Sequence, residues 1–379
     1  MNYFSLKSSN FLVSALLVLV TAGVLTFGSV SASAAGGPGI VTGYNQLSGW
    51  VGDGFTSDIP KVASGVNVVV QAVRGTDNGI YTRYSTDGVN WYGWKGDGRS
   101  KASPTLFFTG SRFVMTVIGT DNYSYTNTST DGINWSGWKG DGLMVFDVAK
   151  YALYGNKVVQ SYVSTGNQIF YRISNDGGAS WSSWTNTDGF AVGSPAVVIK
   201  QFGATSQNLV VLAVRGTDNR IYLNVSQDGG TSFSGWTANG ATTQGIDGSN
   251  YGFLTRGTDA VAYVMQVDSN STKANLGWAS IKNEQGQDFK VNFIPQLSQG
   301  TFSFVNTDSS IEVRPIVASI SSTGVVISSN IKFKEGFSSS RVFSSSFYRN
   351  SDNKELLVTI VRGTDGRIYT RTLEILYAA

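Results

Sequence analysis

Val73-Arg74-Gly75-Thr76-Asp77-Asn78-Gly79-Ile80-Tyr81 returns as Val214-Arg215-Gly216-Thr217-Asp218-Asn219-Arg220-Ile221-Tyr222 and again as Val361-Arg362-Gly363-Thr364-Asp365-Gly366-Arg367-Ile368-Tyr369. Weaker copies stand at Ile118-Gly119-Thr120-Asp121-Asn122 and Arg256-Gly257-Thr258-Asp259, with degenerate ones near Gly166 and Thr323. Taking Asp77, Asp121, Gly166, Asp218, Asp259, Thr323 and Asp365 as markers, the steps are 44, 45, 52, 41, 64 and 42 residues. Steps of ~40–50 residues are those of four-stranded propeller blades. The spacing therefore predicts an all-β chain, a seven-bladed β-propeller with antiparallel blades.

One repeat reads strand by strand. Pro60 to Ala63 forms a short first strand, with proline where a missing N–H matters least, and Val66 to Val73 a β-branched second strand. Gly75 to Gly79 is a turn of residues that tolerate positive φ or bond their own backbone. Ile80 to Ser85 is the third strand, and Trp91 to Trp94 is read as the fourth.

The two ends of the chain do not match, and this predicts how the ring closes. After Tyr369 no fourth-strand segment follows, whereas Ser48-Gly49-Trp50-Val51-Gly52-Asp53-Gly54 repeats Ser136-Gly137-Trp138-Lys139-Gly140-Asp141-Gly142 at all but one position with no blade before it. Pairing the N-terminal strand with the C-terminal ones completes the last blade and removes an open seam. The spacing places the irregular blades at about 245–340. There Gly277-Trp278 alone keeps the fourth-strand signature, and an insertion is expected around Glu284 to Phe293.

Composition agrees with short strands and many turns: 45 glycines, 12% aromatic and only 14% charged residues among 379. The absence of His and Cys excludes a Cys/His zinc site, a Cys nucleophile, a Ser-His-Asp triad and disulfides. No cofactor or metal is expected. A formal charge of +3 without a Lys/Arg-rich run leaves no footprint for nucleic acid or an anionic membrane. Lys7, the apolar run Phe11 to Phe27 and Ala32-Ser33-Ala34 read as a secretory signal over 1–34, cleaved after Ala34, with the propeller over 35–379. The alternative is an uncleaved anchor, since the run nearly reaches the ~18 apolar residues of a spanning helix. Cleavage makes the mature protein secreted, with no membrane insertion.

Four repeats carry Ser-x-Asp-Gly hairpins resembling Asp boxes, at Asp87, Asp131, Asp176 and Asp228. Their short carboxylates suit a turn-bonding role, and no calcium-type Asp ladder accompanies them. A sialidase-like hydrolase would need an arginine trio, a Tyr–Glu pair and an acid catalyst. Here Arg74, Arg215, Arg256 and Arg362 recur at one repeat position, and every glutamate lies in the last quarter of the chain. No catalytic residues are assigned, and glycoside hydrolysis stands as the alternative reading.

What recurs instead is Trp50, Trp94, Trp138, Trp184 and Trp236, with Asp53, Asp97 and Asp141 beside them. A tryptophan face next to a carboxylate suits a shallow carbohydrate site, and these eight are the candidate binding residues. Packing between sheets is the competing role for each tryptophan. The Arg-Gly-Thr-Asp-Asn-x-Ile-Tyr segment, the Ser-Gly-Trp segment and Ser103-Pro104-Thr105 with Ser194-Pro195-Ala196 resemble the PLL-like bacterial propeller lectins and tectonin-type repeats, from about Gly43 to the C-terminus. That resemblance implies sites for fucose-like or O-methylated sugars between blades, with glycans on cell surfaces or glycoproteins as partners. A propeller serving only as a protein-interaction scaffold is the third reading.

Overall fold

The computed structural model describes residues 41–201, 208–242, 244–249, 252–267, 277–282, 285–298, 301–315, 320–321, 324–326 and 333–377. Residues 1–34, read from the sequence as a secretory signal, lie outside them. Every regular element among the described residues is a strand, and these form seven antiparallel blades around a ring.

Blade one shows the pattern: Lys61–Ser64, Val69–Arg74, Gly79–Ser85 and Lys95–Arg99, paired in that order. The second strand is buried almost throughout, because blades pack against both of its faces, which explains its unbroken Val run. The fourth strand corrects the sequence reading. It begins after Trp94, not at Trp91, because Trp91 to Trp94 form the loop that carries the indole toward the neighbouring blade. Lys95-Gly96-Asp97-Gly98 has low intrinsic β-propensity and is held as a bulged edge strand by pairing with Tyr81 and Thr82.

At the far end of the third strand in blades one to four, the Ser-x-Asp-Gly hairpins are closed by their own aspartates. Asp87 Oδ1 accepts the backbone N–H groups of Val89 (2.9 Å) and Asn90 (2.7 Å), while Oδ2 accepts Asn90 Nδ2 at 2.7 Å. Asp131, Asp176 and Asp228 repeat the arrangement.

Blade seven closes as expected and with more material. Phe343–Arg349, Lys354–Arg362 and Arg367–Tyr377 supply three strands. Val51–Phe55 pairs with the first half of Arg367–Tyr377 and Val41–Gln46 with its second half. The seam against blade one is a buried cluster of Val62, Val69 and Val73 with Phe347, Leu356, Val358, Ile360 and Ile368.

Blades five and six account for the irregular spacing. Blade six is Gln296–Ser298, Thr301–Val305, Ser310–Pro315 and Phe333–Phe337. Between its third and fourth strands the chain travels to blade five, where Gly324–Val326 pairs in parallel with that blade's outer strand, Ala279–Lys282. The marker Thr323 lies outside the described residues. The turn equivalent to Asp77 is Asn306-Thr307-Asp308-Ser309, with Ser309 at φ 68° and Ser310 N–H bonded to Asp308 Oδ1 at 2.9 Å. Within the expected insertion, the described residues fold back onto blade five, where Phe289 bonds to both Ala262 and Ile281.

Candidate functional site: the clefts between blades

The Gly-Thr-Asp turns of the repeat build one corner five times. Asp77, Asp121, Asp218, Asp259 and Asp365 each take a backbone N–H two residues on at 2.9–3.0 Å and a tyrosine hydroxyl four residues on at 2.7–2.8 Å. The tyrosine ring lies flat on the turn glycine. A Cβ added at Gly363 would sit 2.5 Å from the Tyr369 ring, so only glycine fits. The tyrosine bond, with the backbone bond beside it, draws Asp77 and Asp365 below the usual carboxylate range and raises Tyr81 and Tyr369. At the rim of an inter-blade groove the two aspartates are exposed and the two tyrosines half-buried.

The predicted tryptophans stand at the base of these grooves, half-buried, and fasten each blade to the one before it. The indole N–H of Trp138 donates to Asp97 O (3.3 Å), Trp184 to Asp141 O (2.8 Å) and Trp236 to Thr187 O (3.1 Å). Trp278 does the same to Asn239 O at 3.0 Å. Trp278 is thus a sixth member of the set, absent from the sequence-derived candidates although Gly277-Trp278 was its signal. Close approach requires Gly98, at φ +81°, where a Cβ would fall 2.8 Å from Trp138 Nε1. At the closing seam Trp94 packs beside Gly54 with its buried indole N–H unbonded among the described residues. Trp50 lies against Gly336 of blade six.

The predicted aspartates face the third strand of the following blade. Asp53 pairs with Arg83 at 2.5 Å, Asp97 accepts Asn127 Nδ2 at 3.1 Å and Asp141 pairs with Arg172 at 2.9 Å. Burial separates them: the Asp53 side chain is 49% exposed and that of Asp141 only 6%. The arginines were not read from the sequence, although they stand two residues after the repeat tyrosine position. They cap the tryptophans by cation–π contact, Arg83 lying 4.5 Å from Trp94, Arg172 4.4 Å from Trp184 and Arg371 4.4 Å from Trp50.

Between blades six and seven these parts enclose a cleft of about 290 Å³. Trp50, Ile311, Phe337 and Val361 give it apolar walls, and the Gly363-Thr364-Asp365 turn with Tyr369 gives it a polar side. The same parts recur between blades seven and one: Trp94, Phe55, Tyr81, Asp77 and Arg83. Phe55 and Phe337 are both largely exposed and stand at matching positions of their fourth strands, opposite Arg367 and Ser310.

Fold and site together define a seven-bladed β-propeller with repeated aromatic clefts between its blades. No family model matches the chain, and no curated relative is similar to it. Among solved structures it is similar to a protein of unknown function from Dyadobacter fermentans, at 12% identity and a TM-score of 0.45, over 89% of this chain and 100% of that one. It is also similar to the Aleuria aurantia lectin in complex with Fucα1-6GlcNAc, at 13% identity and a TM-score of 0.42, over 72% and 95%. A third is Trypanosoma rangeli sialidase, at 14% identity and a TM-score of 0.40, over 85% of this chain and 55% of that one.

Proposed function

We propose that the protein is an exported, non-catalytic lectin that binds single sugar residues in the clefts between blades. The observation that carries this is the composition of the cleft at Trp50. Its volume lies near the lower end of the ~300–1,000 Å³ typical of small-molecule pockets, which suits one sugar ring. Sugars combine apolar C–H faces with fixed hydroxyls. Trp50 and Phe337 offer the apolar contact, and the Asp365–Tyr369 pair offers a carboxylate and a phenolic oxygen as acceptors for sugar hydroxyls at a fixed spacing. The walls formed by Ile311 and Val361 favour a sugar bearing a methyl group, such as a deoxy or O-methylated one. Repetition around a rigid ring raises avidity on a glycan-bearing surface without requiring tight single sites.

The hydrolase alternative has no assembled catalytic set in its favour among the described residues. Arg74 pairs with Asp58, while Arg256 and Arg362 donate to the backbone carbonyls of Val291 and Thr56, so these arginines pin connections in different blades. A glycan array on the mature chain, followed by calorimetric titration with the best sugar, tests the reading. Trp50→Ala, confirmed folded, should remove one site per chain and leave the affinity of the others unchanged. An array without hits, or undiminished stoichiometry in Trp50→Ala, would refute the cleft assignment.

A further inference from the structure

The innermost strands of the seven blades open on residues that surround the propeller axis. Among them are Lys61 in blade one, Lys150 in blade three, Ala196 in blade four, Asp247 in blade five and Phe343 in blade seven. Lys150 Nζ lies 2.5 Å from Asp247 Oδ1, and Arg341, two residues ahead of Phe343, pairs with Asp247 Oδ2. These contacts join blades three, five and seven, so they reach past the blades between them. The small Ala196 leaves room for the first of them. Arg341 is further held by Ile294 O at 3.1 Å.

Lys61 completes the group. Its ammonium sits 3.7 Å from the centroid of the Phe343 ring, and no carboxylate stands within ion-pair distance of it among the described residues. Three cations therefore share one carboxylate inside the ring, an excess of two positive charges. Asp247 orients Lys150 and Arg341 but cannot neutralise the cluster. Uncompensated charge in a confined site is unfavourable, and the excess is relieved either by losing a proton or by taking up an anion.

We propose that the axial channel is an oxyanion site in which Lys61 and Lys150 grip a sulfate- or phosphate-type dianion beside Arg341. Two excess charges match a dianion. Two ammonium groups supply directed N–H donors, and the Arg341–Asp247 pair fixes the wall behind them. Independent support comes from the proton affinity of Lys61. Burial lowers it to about 7, Arg341 and Lys150 adding to the effect while Asp247 and Asp58 oppose it. A bound dianion would restore the charged form, so binding at pH 8 must draw in a proton.

The test is calorimetric titration of the full chain with sodium sulfate at constant ionic strength, at pH 8, in two buffers of different ionisation enthalpy. One saturable site per chain with uptake of close to one proton is expected. Lys61→Met should weaken binding at least about tenfold and abolish the uptake. Lys61→Arg should still bind sulfate but without the uptake, because a guanidinium does not deprotonate in this range. A monosaccharide sulfate ester forms the second arm. Tighter, Lys61-dependent binding of the ester assigns the site to esterified glycans, and tighter binding of inorganic sulfate assigns it to the free anion. Absence of saturable sulfate binding in the wild-type chain, or binding unchanged in both Lys61 variants, would overturn the proposal.

Discussion

Asp53, Asp97 and Asp141 occupy one position of the repeat, yet truncating them to alanine should destabilise the propeller very unequally. The Asp141 carboxylate accepts Arg172 Nη2 at 2.9 Å, Ser124 Oγ at 2.5 Å and Thr126 Oγ1 at 2.8 Å. Both members of the ion pair are over nine-tenths buried. Asp141→Ala would leave a guanidinium held only by Gln160, Thr126 and the faces of Trp181 and Trp184. Removing one partner of a buried pair costs about 3–5 kcal/mol. Asp53 is half exposed, so water can reach the place of the lost carboxylate although Arg83 itself is buried, and Arg83 keeps Gln71 and Thr370, which should hold the cost to about 1–2 kcal/mol. Asp97→Ala loses one neutral-donor bond, from Asn127, again about 1 kcal/mol. Urea unfolding monitored by tryptophan fluorescence, compared at constant denaturant slope, gives the three values. The double variant Asp141→Ala/Arg172→Met removes the stranded charge and should recover most of the loss, a coupling of about 2–4 kcal/mol. Equal losses at Asp53 and Asp141, or strict additivity in the double variant, would refute the burial argument.

Three further outcomes follow from the same contacts. The N–H groups of Asn134 and Ile133 hold the Asp131 carboxylate well below its ordinary range, so its contribution is present above the unfolded value of ~3.9 and lost as pH falls below it. Asp131→Asn should therefore lose about 1 kcal/mol at pH 7 and show a shallower acid decline than wild type; parallel declines in pH-resolved melts would count against this. Trp138→Phe forfeits the bond to Asp97 O, whereas Trp94→Phe forfeits none in the described residues, so the first should be the more destabilising by about 1 kcal/mol; indistinguishable melting curves would contradict it. Deleting Gly36 to Gly54 should expose the edge of Arg367–Tyr377 and yield oligomers in light scattering; a monomer of undiminished stability would show that closure does not depend on this segment.

Blade number was legible because turn chemistry survives when side chains drift. Gly75, Asp77 and Asn78 each answer a backbone demand, and the demand recurs at every third-strand entry. The sixth copy was misplaced because Asn306 and Ser309 meet the same geometry without the glycine or the arginine that made the other copies visible. With Asp308 as the marker, the last two steps become 49 and 57 residues, and the excess in the second is the excursion to blade five. The fourth strand was misaligned for a different reason. Aromatic residues signal strands, yet Trp94 belongs to a loop, while the Gly- and Asp-rich segment after it is a strand only through its neighbour. Site roles were the least legible. Nothing local in Lys-Gly-Asp-Gly distinguishes Asp97 from Asp141, because burial is set by Arg172, Ser124 and Tyr162, which come from other strands.

The same parts decide which clefts are equivalent. A binding platform loses less entropy on capture of a small ligand when its aromatic surface is already fixed. Here fixation has two components: the indole edge packed on the preceding blade, and an arginine over one ring face. Trp184 has its arginine, but blade three replaces the Asp–Tyr corner with Gly166 and Phe170. Trp138 and Trp236 have the corner, but Asn127 and Asn224 stand where the arginine would be. Among the described residues, only Trp50 and Trp94 combine an arginine cap, an Asp–Tyr corner and an exposed phenylalanine from the preceding fourth strand. Both flank blade seven, the blade assembled from the two ends of the chain. The strands that close the ring therefore also supply Trp50 to one complete cleft and Phe55 to the other, so closure and recognition depend on the same short segment.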